Sequence, residues 1–385
     1  MQIKFKSILT VSIVLSLAFP VSAQQKCATL VIHQVGPGGA STIFSFYNTC
    51  PESPDGQTIA YLCCKKEPSG DKGYAPAELW LCDRDLKRRR KVTNIVGTAA
   101  HNGVEAQWID NDRIAFFDKS IIRIINVNTG KDLLKKKINA NGLGHYPYHE
   151  KILYDIYPGG DTHKPVGTYE LDCNTQKTRL VISTADCACA ALPSFLQKNN
   201  IAPVDGWRTL HAQYSPDGRK IAFRLDVGPS GKARIMGICN VDGSDLQLMV
   251  KQLHFVWYDN QSIISHYRLS NSKASLKEKN HTLIRSDLHG NMLQALTPPG
   301  NHLAVSPDRR WFASETNYWS NPVILTLYPN GHPEKAIEIT RFNPNGVTWK
   351  RRFHVNPEFS RDSKRLYFSM PLNEKYNGTF YVDIK

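Results

Sequence analysis

The chain has 385 residues, of which 41% are hydrophobic, 10% aromatic and 21% charged. This ordinary globular composition excludes a collagen, a coiled coil and a disordered chain. Lys and Arg outnumber Asp and Glu by 48 to 34, a formal charge of +14, and nine Cys are too few for a disulfide scaffold of this length.

The first 23 residues read as a secretory leader. Lys4 and Lys6 form a basic start, Ile8 to Phe19 is apolar, and Val21-Ser22-Ala23 is a small-residue cleavage site. The apolar run is too short and wrongly flanked for a stable membrane anchor, and no second candidate follows. Cys27 lies too far from the small residues to be the lipidated Cys of a bacterial lipoprotein. Losing Lys4 and Lys6 takes the charge from +14 to +12. The expected product is secreted or periplasmic, with its Cys in an oxidising compartment. Their pairing is not readable from sequence.

After the leader, Ala28 to His33 reads as a strand. Then one phrase recurs along the chain. Ser53-Pro54-Asp55-Gly56 precedes Thr58-Ile59-Ala60-Tyr61. Looser copies follow at Trp108 to Phe116, at Tyr148 to Tyr154 and at Trp257 to Ile264. Fuller copies are Ser215-Pro216-Asp217-Gly218 before Lys220 to Phe223, Ser306-Pro307-Asp308 before Trp311 to Ala313, and Ser360-Arg361-Asp362 before Arg365 to Phe368. Each is a hairpin: a strand, a tight turn, and a β-branched or aromatic return strand. A third strand follows, as in Arg123 to Val127 or Ile238 to Val241, and then a fourth, such as Leu246 to Val250.

Four strands per unit and seven units predict an all-β fold, a seven-bladed β-propeller filling residues 24–385 as one domain. Three units depart from the phrase, so six or eight blades stay open at this level. The last unit ends with three strands, and the N-terminal strand can supply the fourth and close the ring. A short helix is expected near Leu192 to Lys198. The run Lys87-Arg88-Arg89-Arg90-Lys91 reads as a solvated turn at the outer rim. Cys187-Ala188-Cys189 reads as a disulfide or as free thiols.

A second repetition rides on the first. His211, His254 and His302 each stand four residues before a hairpin turn; in the last unit the slot is Asn356, with His354 two residues earlier. His101 opens the second unit and His145 the third. In a propeller this slot lies at the start of the innermost strand, so these imidazoles converge on one channel mouth, where they suit a divalent metal or acid–base chemistry. A single His there is an ordinary hydrogen-bonding group; the repetition makes the set a site. Arg208 and Arg224 follow the same geography and suit a carboxylate or sulfate. No nucleophile elbow, zinc-peptidase helix or phosphate loop is present.

These phrases resemble the seven-bladed polysaccharide lyases of the oligogalacturonate lyase and ulvan lyase type. His101-Asn102-Gly103 is similar to the ulvan-lyase segment bearing a catalytic His, and Lys164 to Tyr169 to a Tyr-bearing segment of those relatives. The stretch from His211 to Gly218 resembles the segment with the base of oligogalacturonate lyases. His254-Phe255-Val256-Trp257 and His354 to Phe359 resemble their metal-binding segments, with Asn356 where a second His would stand. The resemblance implies β-elimination on a uronate-containing anionic polysaccharide or oligosaccharide. His101 and Tyr169 are then the acid–base candidates, His211 an alternative base, and Arg208 or Arg224 the group that neutralises the carboxylate. His254, His302 and His354 are the metal candidates, for zinc, manganese or calcium, with no organic cofactor. A monomer with no membrane insertion is expected. The rival reading is a non-catalytic periplasmic propeller that binds a protein or glycan; nucleic acid is a weaker third.

Overall fold

The structure is a computed structural model. It describes residues 30–384 apart from 45, 47, 67–73, 100, 139, 160–162, 192, 200–205, 228–232, 251, 269–280, 297–299, 317–319 and 344–353. The leader and residues 28 and 29 lie outside the described residues.

The strands form seven four-stranded antiparallel sheets, and six of them run in chain order from first to fourth strand. The first comprises Ser41–Ile43, Thr58–Cys64, Tyr74–Asp83 and Arg90–Ala99. The fourth comprises Arg208–Tyr214, Lys220–Val227, Ala233–Asn240 and Gln247–Val250. In the seventh, Glu358–Phe359, Arg365–Pro371 and Asn377–Asp383 are joined by Ile32–Val35 from the start of the chain. Ile32 faces Val382 and Val35 faces Thr379. The molecule is a seven-bladed β-propeller, with buried apolar side chains packed between neighbouring blades.

The recurring phrase forms by local chemistry. In the fourth blade the Ser215 hydroxyl donates to Asp217 at 2.7 Å and accepts the Lys220 N–H at 2.9 Å. Gly218 takes φ +68°, and a Cβ there would lie 2.0 Å from the Tyr148 ring. The same Ser–Asp bond and Ser-capped amide recur at Ser53, Ser306 and Ser360. Short polar side chains thus replace missing ladder partners at the turn.

A second local device matters more for function. Glu105, Tyr146, His211, His254 and Asn356 have φ between 44 and 54°. Each lies four residues before its blade's turn. The ladder shifts register across His211 and across His254, as in a β-bulge, which re-aims a side chain out of the regular alternation. Two residues after Glu105 and after His211, Gln107 and Gln213 donate to Gly144 and Phe255 carbonyls of the next blade's inner segment, at 2.9 and 3.0 Å. The bulges are therefore locked from blade to blade.

Helices Thr184–Ala190 and Pro193–Asn199 follow the third blade, the first capped by Ser183 and Asp186. Arg88 and Arg89 are exposed in the turn after Tyr74–Asp83, and Arg90, also exposed, opens the next strand. The eight described Cys are free thiols, Cys187 and Cys189 included, and only Cys189 is exposed. No helix among the described residues is long and apolar enough to cross a membrane.

A ring of imidazoles as the candidate active site

Six blades each bring one imidazole to the channel. The ring centroids of His101 and His354 are 4.4 Å apart, His354 and His302 4.5 Å, and His302 and His254 5.1 Å. His254 and His211 follow at 6.1 Å, and His211 and His145 at 5.6 Å. The first blade contributes a phenyl group instead. Its inner strand stops at Ile43, and the chain then turns inward to place Phe46 5.2 Å from His101, 5.9 Å from His145, 5.3 Å from His211 and 5.7 Å from His302. His302, His354 and His145 are buried, whereas His101, His211 and His254 are partly exposed.

The buried side of the ring can hold a metal. Ligand atoms of His302, Glu315 and His354 all lie within 4.8 Å of one another. His302 Nδ1 is 2.6 Å from Glu315 Oε1, His354 Nδ1 is 3.5 Å from the same oxygen, and the Asn356 N–H donates to Glu315 Oε2 at 3.1 Å. Burial pushes the Glu315 carboxyl up, but the His302 and His354 imidazoles outweigh it and hold it down at about 2. Two imidazoles and a carboxylate suit zinc or manganese better than calcium, which prefers an all-oxygen shell. His254 adjoins this group through His302 but is not one of the converging atoms.

Glu315 escaped the sequence reading, although a signal exists. It stands three residues after Phe312, as Arg224 stands after Ile221 and His266 after Ile263. All three lie on the second strand of their blades, so this is a repeat-equivalent slot one strand out from the channel. His266 is 5.8 Å from His254.

On the more open side, Arg208 and Arg224 share one carboxylate. Arg224 grips Asp226 with bonds of 2.7 and 2.9 Å, and Arg208 reaches the same group at 3.0 and 3.2 Å. Arg234 adds a third guanidinium at 3.7 Å, so the cluster keeps net positive charge. The Arg224 side chain is 9% exposed and that of Arg208 40%. Burial, then Arg224 and His145, hold His211 well below the usual imidazole range, so it is a neutral proton acceptor.

Tyr169 is set apart. It lies on the third strand of the third blade, two strands out from the blade's innermost strand. Its ring stacks on Tyr154 at 5.4 Å within an apolar cluster, and its hydroxyl donates to the Pro165 carbonyl at 2.8 Å. Its expected acid–base role is therefore corrected: Tyr169 packs the blade.

Glu105, in the bulge slot of the second blade, was also not foreseen. Asn102 Nδ2 and the Leu143 N–H donate to it at 2.8 and 2.5 Å, and a Cβ at Gly142 would lie 2.2 Å from its Oε2. Burial pushes its carboxyl up to about 8. A carboxyl whose folded pKa is raised costs stability as pH climbs from the unfolded pKa, near 4.5, towards about 8. Glu105→Gln is therefore expected to flatten the fall in Tm over that window. An unchanged pH slope in calorimetry would show that Glu105 is ionised in the fold.

Comparison with known proteins places the fold first. No protein-family model matches the chain, and no curated protein matches it. Solved structures do. An oligogalacturonate lyase in complex with manganese aligns with a TM-score of 0.66 at 13% identity, over 93% of this chain and 94% of that one. An oligogalacturonate lyase from Vibrio parahaemolyticus gives 0.67 at 12%, over 94% and 95%. A chain of a mitotic checkpoint complex gives 0.55 at 10%, over 99% of both. The fold thus serves proteins of unlike activity, and function has to be argued from the site.

Proposed function

We propose that the protein is an exported lyase that cleaves a uronate-containing anionic glycan, of pectic or ulvan-like type, by β-elimination. The observation that carries the reading is the convergence of a neutral His211, the Arg208–Arg224 pair and the His302–Glu315–His354 group in one channel. The two oligogalacturonate lyase neighbours support it. Export rests on the leader at residues 1–23.

The chemistry follows from charge. A uronate C5 proton is poorly acidic until its carboxylate is neutralised. Arg208, half-exposed and oriented by Asp226, can pair with that carboxylate, while buried Arg224 supplies field rather than a contact. His302, Glu315 and His354 would hold a divalent cation, which supplies further stabilisation of negative charge developing on the carboxylate. His211 accepts the C5 proton, the electron pair forms the C4–C5 double bond, and the C4–O4 bond breaks. His101, partly exposed across the ring, returns a proton to O4 of the departing sugar. The charge of +12 after leader removal favours a polyanion.

One observation favours the rival reading of a non-catalytic binding propeller: Phe46 covers four of the six imidazoles. The two readings separate on incubation with polygalacturonate, ulvan, rhamnogalacturonan and glycosaminoglycans. The lyase reading expects one of them to yield products with the ultraviolet absorbance of an unsaturated uronate. Binding without cleavage across the panel would favour the rival.

A further inference from the structure

A line of cations leads outward from Arg208. The centre of the Tyr157 ring lies 5.4 Å from the Arg208 guanidinium carbon, and Tyr157 opens the loop between Lys151–Ile156 and Gly167–Asp172 of the third blade. Lys164 lies in that loop, its Nζ 6.0 Å from the centre of the Tyr169 ring. Lys136 and Lys137 end the fourth strand of the second blade, opposite Ile122 and Ile121. Lys119 occupies the turn between that blade's second and third strands, and the Ile138 N–H donates to the Ser120 carbonyl of the same turn at 3.0 Å. The turn is tied to the channel, because the Phe117 N–H donates to the Val104 carbonyl at 2.8 Å, beside Glu105.

Among the described residues, Lys119, Lys136 and Lys137 make no ion pair. The carboxylates near them in sequence are engaged elsewhere. Asp118 is held by Arg123 and by the Val96 and Gly97 N–H groups, and Asp132 by Arg123 and Lys135. Lys119 and Lys137 are exposed and Lys136 is half-buried. Burial, and then the Lys164 ammonium, hold Lys136 below the usual lysine range. Like charges held together in a partly dry place repel, and an anion set between them offsets that repulsion. The basic run at Lys87 to Lys91 differs. It sits on the opposite face, where the Arg84 N–H donates to Gln57 of the first hairpin turn, and Arg88 pairs with Asp83 and Lys91 with Glu78.

The fitting ligand carries several anionic groups spaced along one chain, so that one acid meets the Lys136–Lys164 pair while others meet Lys119, Lys137 and Arg208. A glycan bearing carboxylates or sulfates at regular intervals meets that need. We infer that Lys119, Lys136, Lys137 and Lys164 form an accessory site for the acidic groups, carboxylate or sulfate, of a glycan chain extending beyond the sugar at Arg208. Its place beside the cleaved sugar rests on the lyase reading, whereas the binding itself does not. The consequence is a preference for polymers over disaccharides.

The test uses the full chain carrying His211→Asn, so that polymers stay intact. Calorimetric titration compares polygalacturonate, dextran sulfate and chondroitin sulfate with digalacturonate. The first polymer offers carboxylates, the second sulfates and the third both, so the panel names the acid that is bound. Lys136→Gln with Lys164→Gln is expected to weaken at least one polymer about tenfold or more, the worth of one charge-assisted contact, and to leave digalacturonate within about twofold. Lys87→Gln with Arg89→Gln removes the same charge from the opposite face and should change neither. Circular dichroism melts check that all variants fold. No binding of any polymer, equal loss in the Lys87 and Arg89 pair, equal loss for digalacturonate, or tighter binding of a single-stranded oligonucleotide than of any glycan would overturn the inference. Cleavage by wild type with unchanged polymer affinity in the Lys136 and Lys164 pair would overturn it and leave the lyase reading standing. The expected loss of affinity with no cleavage of any polymer would do the reverse.

Discussion

His211→Asn is expected to lower kcat/KM on the best uronate oligomer by about 10²–10⁴-fold, the usual contribution of a positioned proton acceptor. Asn is the apt replacement because residue 211 sits at φ 54°, a left-handed conformation that Asn tolerates and Ala does not. The variant should therefore fold, and a melt within a few degrees of wild type checks that. The effect is expected in kcat, since Arg208, not His211, faces the ground-state carboxylate in the proposed pose. Rates within about twofold of wild type would remove His211 as the base; a loss of that size is too small for general-base catalysis. Arg208→Lys should behave differently. It keeps a charge but loses the planar fork that grips Asp226, so KM should rise and kcat fall together.

Glu315→Gln is expected to abolish tight divalent-metal binding. The carboxylate is 1% exposed, between two imidazoles that are themselves buried. Gln keeps an acceptor for the Asn356 N–H but removes the negative charge. Affinity should fall by about 100-fold or more, beyond what losing a supporting residue of a metal site does. The check needs no turnover. Manganese or zinc at about 100 times Kd stabilises a folded protein by about 2.7 kcal/mol, which appears as a rise in Tm. Wild type should show that rise and the variant should not. Metal analysis of both purified proteins gives a second readout. Equal shifts in the two would place the metal elsewhere in the ring, with His254 the next ligand to replace.

The propeller was legible because its signal is local and repeated. A Ser hydroxyl that bonds to Asp two residues on and caps the return strand leaves the same letters in each full copy. The imidazole ring was legible in part for a related reason: in the fourth and fifth blades His211 and His254 sit at a fixed distance from that turn, in a left-handed backbone that His tolerates. Glu315 was harder. It lies on the second strand, where its slot reads Arg224, His266 and Glu315 in three successive blades, a repetition of position without one of residue type. Phe46 left no periodic trace, because the first blade's inner strand stops at Ile43 and the phenyl arrives by an irregular excursion. Tyr169 was expected from resemblance alone, and the strand order puts it outside the channel.

Cleavage in water enriched in heavy oxygen tests the central claim most directly. Elimination takes no oxygen from solvent: the C5 proton leaves, the C4–O4 bond breaks, and the new non-reducing end is a C4–C5 alkene. Mass spectrometry of the products should therefore show an unsaturated uronate, one water lighter than the hydrolytic product, with no heavy oxygen fixed at the cleaved bond. A saturated new non-reducing end carrying a C4 hydroxyl, with heavy oxygen at the new reducing end above the anomeric exchange of a control sugar, or the absence of cleavage on every uronate polymer, would contradict the account.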